Sequence, residues 1–251
     1  MESKRLLECF EADYTRLRDV VQGADLTAVV PTCPDWTVDD LVRHVGTTYL
    51  HKVECMRLGA HPDPWPPAAL AEEDSRALLD RGYTALSAEF SSRAPESPAF
   101  TWYGPDQSVG FWIRRMAQET VIHRVDAEFG AGVATAPIPA DLAHDGIDEF
   151  LVAFVEYGTQ TWADEFTELL GPADGRSVRV ETPDAAWLIT LTPEAVYVRM
   201  SDVDGADAVI RGEPADLLLW LWNRADDDVV TASGDPDLPA YLRKVLAASA
   251  G

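Results

Sequence analysis

Basic residues are scarce in this sequence: Lys and Arg number 20 against 43 Asp and Glu, a formal net charge of -23. Nucleic acid and anionic membranes are both held mainly through Lys and Arg charge, so neither is an expected partner. The acidic excess itself reads as an aid to solubility. Long apolar runs are also missing. No stretch approaches the roughly 18 residues of a membrane span, and the opening residues Met1-Glu-Ser-Lys-Arg-Leu-Leu-Glu-Cys-Phe10 lack a signal-peptide h-region. Cysteine is sparse. Cys9, Cys33 and Cys55 are odd in number and show no CxxC spacing, which argues against a disulfide framework. Together these absences suggest a reducing, cytoplasmic setting. Cys33 reads as a small packing hydrophobe and Trp36 as core.

What remains is ordinary globular material, 251 residues with 47% hydrophobic and 25% charged. Leu6, Phe10, Tyr14, Leu17 and Val20 or Val21 form one stripe, which predicts a helix over 3–22. Thr37 with Asp40 three residues on reads as a capping box that opens a second helix running into the fifties. The segment His61-Pro-Asp-Pro-Trp-Pro-Pro67 is too rich in proline to be helical. Further helices fit 72–90 and 108–129, giving a four-helix bundle, and another fits 139–170. Beyond it, Val178 and Val180, then Trp187, Ile189 and Leu191, then Val196, Val198 and Met200 alternate with period two between Thr-Pro turns. This predicts an antiparallel meander, followed by a strand at 207–211 and helices at 213–223 and 237–248. The expected fold is α+β, with a bundle over 1–168 and a smaller α+β domain over 174–251.

The chemistry concentrates on two helices. Glu119 and His123 are four apart, one turn, on the stripe that Trp112 and Met116 begin. Arg114, Arg115, Gln118 and Arg124 are expected elsewhere around that helix. A carboxylate on an inward face needs a metal, an ion pair or a wet cavity. His44, on the stripe of Leu41, Val45 and Thr48, supplies a third convergent group from the second helix. Two imidazoles and a carboxylate with one position open describe a catalytic zinc site, although iron, nickel or manganese would also fit. Asp40 is assigned to the cap. His51 is two turns from His44, roughly 10.5 Å, too far for the same metal; it reads as a cavity-lining acid or base, or as polar packing. His61 and His144 read as surface residues. Asp126 is placed to accept the second ring proton of His123.

The run Val30-Pro-Thr-Cys-Pro-Asp-Trp-Thr-Val-Asp-Asp-Leu-Val-Arg-His44-Val-Gly46 resembles a signature of the mycothiol-dependent maleylpyruvate isomerase family. Glu119-Thr-Val-Ile-His123-Arg-Val-Asp126 resembles its second signature, and Gly212-Glu-Pro-Ala-Asp-Leu-Leu-Leu-Trp-Leu-Trp-Asn-Arg224 its third. The order is the family's and nearly the whole chain is covered. Asn223 departs from the pattern, standing where glycine is usual, and the loop 61–67 has no counterpart. The resemblance implies a DinB-like bundle and a sterol-carrier-like tail domain. It implies zinc on His44, Glu119 and His123, and the actinobacterial thiol mycothiol as cosubstrate. It also implies a functional Arg224, which would bind an anionic group on thiol or substrate. His51 is a further candidate on the cofactor side.

The implied activity is a mycothiol-type S-transferase or cis-trans isomerase acting on a small electrophile, as a monomer or homodimer. Two rivals use the same residues: a hydrolase working through metal-bound water, and a non-catalytic metal- or ligand-binding stress module.

Overall fold

The computed structural model describes residues 1–200 and 205–250. They form two compact units, Met1–Pro137 and Ile138–Gly251. Among the described residues no helix is long and apolar enough to cross a membrane.

The first unit is a helical bundle. Helix α1 (Ser3–Gly23) buries Leu6, Phe10, Tyr14, Leu17, Val20 and Val21, the expected stripe. Two short strands follow, β1 (Val29–Val30) and β2 (Cys33–Thr37), paired antiparallel. The proline-containing sequence there reads as loop, yet it folds back as a hairpin and delivers the chain into α2 (Val38–Leu58). The cap is as expected: Thr37 Oγ1 accepts from the Asp40 amide at 3.2 Å, and the Thr37 amide donates to Asp40 Oδ2 at 2.9 Å.

Helix α3 (Ser75–Ser92) crosses α2 at two glycines. A Cβ on Gly46 would sit 2.8 Å from the Leu79 amide nitrogen, and one on Gly82 would sit 2.6 Å from the Gly46 carbonyl oxygen. Only bare backbone allows that approach.

Helix α4 (Val109–Gly130) departs from the expected two-faced pattern. Trp112 and Met116 are buried, but so are Arg115, Gln118, Arg124, Asp126 and Glu128. The helix is enclosed on nearly all sides, so its polar residues find partners inside. Arg124 donates to Asp13 Oδ1 at 3.0 Å and to Glu128 Oε2 at 2.7 Å.

The second unit begins earlier than the expected 168/174 boundary, because the helical segment 140–170 belongs with the sheet. It runs as α5 (Ala140–Glu149), a π-helical stretch Phe150–Glu156, α6 (Tyr157–Thr161) and, after a break at Trp162, α7 (Ala163–Leu170). Sheet backbone and side chains bind directly to it. The Val198 amide donates to Glu156 Oε1 at 2.9 Å, the Val196 amide to Thr159 Oγ1 at 3.0 Å, and Trp187 Nε1 to Asp148 Oδ1 at 3.2 Å.

The sheet contains β3 (Ser177–Glu181), β4 (Ala186–Leu191), β5 (Val196–Met200), β6 (Ala208–Arg211) and β7 (Thr231–Gly234), in the order β5-β4-β3-β6-β7. The meander β3-β4-β5 is antiparallel as expected, and β6 joins β3 in parallel. At the edge the alternation fails: Met200 is exposed. Helix α8 (Pro214–Leu221) precedes Asn223, and α9 (Leu238–Ser249) closes the described chain. Asn223 has φ 59°, a left-handed conformation that explains why glycine is usual at this helix end. Its Oδ1 accepts from Arg243 Nη2 at 2.5 Å.

Gly46→Ala tests the α2–α3 crossing. The added methyl should cost about 1–3 kcal/mol, read as a lower urea midpoint; an unchanged midpoint would mean that the backbones can part freely.

Candidate metal centre

Helix α2 carries His44 and helix α4 carries Glu119 and His123, and the bundle brings the three together. His44 Nε2 donates to Glu119 Oε1 at 3.2 Å, and His123 Nε2 lies 3.3 Å from the same oxygen. One donor atom from each of the three residues lies within 4.8 Å of the others. Four ligands about 2.05 Å from a tetrahedral zinc stand roughly 3.3 Å apart. The two separations from Glu119 Oε1 match that spacing, so the donor set is of a kind that suits a zinc-class ion.

The surrounding groups hold the three in place. Arg115 Nη2 donates to Glu119 Oε2 at 3.2 Å, which leaves Oε1 for the histidines. His123 Nδ1 donates to Asp126 Oδ2 at 2.9 Å, turning Nε2 toward Glu119. Asp126 Oδ1 in turn accepts from Thr32 Oγ1, so the hairpin region before α2 also steadies the site.

These contacts set the charge state of the cluster. Burial alone would raise the Glu119 carboxyl, but His123, His44 and Arg115 hold it well below the ordinary carboxylate range. Burial would likewise depress His123, yet the Glu119 charge and the Asp126 hydrogen bond outweigh it and raise the imidazole to about 9. Without metal the cluster is therefore an imidazolium–carboxylate pair at neutral pH.

His44 opens onto a cavity of about 610 Å³. Trp36, Lys52, Trp65 and His51 line it with His44. The Trp36 ring lies 4.7 Å from that of His44, so Trp36 is a half-buried wall of the cavity rather than core. Lys52 Nζ lies 5.1 Å from the Trp112 ring centroid. Burial pulls its ammonium below the ordinary lysine range. The proline-rich loop hides the direction of Trp65. Lys52 stands one turn after Thr48 and Arg115 one turn before Glu119, so helical spacing is the signal that could have placed both cations beside the site.

Asp40 stays in the cap. His144 is half-buried, with Nε2 2.8 Å from Thr182 Oγ1 in the second unit. Arg224 also belongs to the second unit, where Nη1 donates to the Trp222 carbonyl at 2.7 Å.

Comparison with known proteins places this architecture. The mycothiol maleylpyruvate isomerase N-terminal domain matches residues 7–128, and the C-terminal domain of the same family matches residues 141–240. The crystal structure of the mycothiol-dependent maleylpyruvate isomerase is similar with a TM-score of 0.62 at 16% identity, covering 93% of each chain. A histidine-to-alanine mutant of that enzyme matches equally, at 17% identity. At that identity the likeness concerns the fold. No curated protein matches the chain.

The raised imidazole has a measurable consequence. Its folded pKa of about 9 lies above the ordinary 6.5, so the stability it contributes is full below about 6.5 and fades as pH rises through about 9. A metal needs the neutral imidazole, so binding at pH 7 should release about one proton. Affinity should then rise with pH up to about 9. Titration calorimetry in buffers of different ionisation enthalpy measures the proton; no release at pH 7 would show that His123 is not displaced from its ion pair.

Proposed function

The chain belongs to the mycothiol maleylpyruvate isomerase family, and from that membership and the geometry of its site we propose that it is a metal-dependent enzyme using a low-molecular-weight thiol, of the mycothiol type, for cis-trans isomerisation of, or S-transfer to, a small electrophile. One observation carries the reading: two imidazoles from different helices meet a single carboxylate oxygen at zinc-ligand spacing beside a cavity.

His44, Glu119 and His123 would hold the ion. A zinc-class ion there would supply a Lewis acid that keeps a bound thiol deprotonated at neutral pH. Mycothiol would supply the nucleophilic sulfur, able to add to an activated double bond and leave after the carbon–carbon bond has rotated, or to remain as a thioether.

The protein's own groups prepare the ground. Arg115 fixes the carboxylate of Glu119 from its far oxygen. Asp126 keeps the Nδ1 proton on His123, so that Nε2 is the free ligand atom once its own proton is lost. Trp36 and Trp65 give the cavity apolar walls, which shelter a reactive sulfur from water. Lys52 and His51 line the same cavity, where they would face the thiol or substrate. Arg224 is the residue we assign to an anionic group on thiol or substrate, by its match to the family's motif. The half-exposed edge of His44 and the adjoining cavity argue against a closed structural site, because a structural zinc is fully enclosed by four protein ligands.

Activity should require both components. Maleylpyruvate isomerisation by the purified chain is expected only with mycothiol present, and chelation should abolish it until zinc is restored. Turnover of an ester or amide without any thiol would instead identify a hydrolase, and full thiol-dependent activity in metal-free protein would overturn the metal assignment. Arg224→Met should raise the KM for the anionic partner about tenfold or more while leaving metal content unchanged; an unaltered KM would remove Arg224 from the machinery.

A further inference from the structure

Helix α2 carries a second group of metal-type donors beyond His44. His51 and Cys55 are one turn apart on it, and His61 comes from the proline-rich loop that follows. His51 Nδ1 lies 3.6 Å from Cys55 Sγ, and the His51 and His61 rings are 5.8 Å apart. One donor atom of each residue lies within 4.8 Å of the others. A tetrahedral zinc with sulfur at about 2.3 Å and nitrogen at about 2.05 Å separates those ligands by roughly 3.6 Å. The sulfur–nitrogen distance meets that requirement in place.

We propose that His51, Cys55 and His61 form a second zinc-class site, separate from that of His44, Glu119 and His123. The donor set selects the ion. One thiolate and two imidazoles suit a borderline-soft cation and not calcium or magnesium, which take oxygen ligands. Burial is graded in the same direction: Cys55 is buried, His51 half-buried and His61 exposed, so a fourth position faces water. Cys55 would lose its proton to solvent as the ion binds. Lys52 Nζ, 3.1 Å from His51 Nδ1, occupies the same lone pair and would have to swing aside.

The site explains the loop 61–67. Pro62, Pro64, Pro66 and Pro67 donate no backbone hydrogen bonds, so little main-chain bonding can tether the segment. It is held instead by rings: His61 lies against Phe100 at 4.7 Å and Trp65 against His51 at 5.1 Å. Trp65 and Pro66 are also part of the wall of the cavity that His44 lines. An ion on His61 would therefore pin the loop to α2 and fix one side of that cavity.

Cobalt(II), titrated into the full chain after chelator stripping, tests this with a readout independent of activity. Wild type should take up about two ions per chain and develop a thiolate-to-cobalt charge-transfer absorption. Cys55→Ser and His61→Asn should each bind about one ion and lose that absorption. His44→Ala should also bind about one ion but keep it. Because His61 is exposed, His61→Asn decides the matter even if Cys55→Ser fails to fold. One ion per chain without thiolate absorption in wild type overturns the proposal, as does an absorption that survives both Cys55→Ser and His61→Asn.

Discussion

Glu119 places a carboxylate on a helix that is buried along most of its length, and an enclosed charge costs several kcal/mol unless fixed partners replace the water it loses. Much of the bundle answers to that constraint. Arg115, one turn earlier, takes one oxygen; His44 and His123 share the other. Asp126 orients His123, and Thr32 orients Asp126. The chain of contacts runs from α4 to α2 and back through the segment before α2. Removing one partner would leave a buried charge unbalanced, whereas a cation held between the three donors would satisfy all of them at once.

Helix α2 is the other determinant. It is started by the Thr37–Asp40 cap and located by the Gly46–Gly82 approach to α3. Its position sets where His44 meets α4, and the same face carries Lys52 and His51 along the cavity. The left-handed Asn223 shows the same economy in the second unit, where an asparagine held by Arg243 does what glycine would do at a helix end.

Much of the fold was legible because it follows periodicity. The α1 stripe, the Thr37 cap and the alternation from Val178 to Val196 all rest on local pattern, and the structure keeps them. Where the structure departs, the deciding contacts are long-range. Strand β7 is Thr-Ala-Ser-Gly, exposed throughout, and only its pairing with β6 makes it a strand. The segment 140–170 looks like a bundle helix until the hydrogen bonds from Val196, Val198 and Trp187 attach it to the sheet. The site divides the same way. Spacing along α4 pairs Glu119 with His123, and the stripe on α2 turns His44 inward. The cavity wall of Trp36 and Trp65 and the meeting of His61 with His51 depend on how loops return, which no spacing records.

On the proposed reading His44, Glu119 and His123 hold one ion between α2 and α4. Anomalous diffraction at the zinc edge from crystals of the zinc-loaded protein tests it directly. A peak about 2 Å from His44 Nε2, Glu119 Oε1 and His123 Nε2 together is expected. Density without such a peak, with the two imidazoles still bonded directly to Glu119, would contradict it.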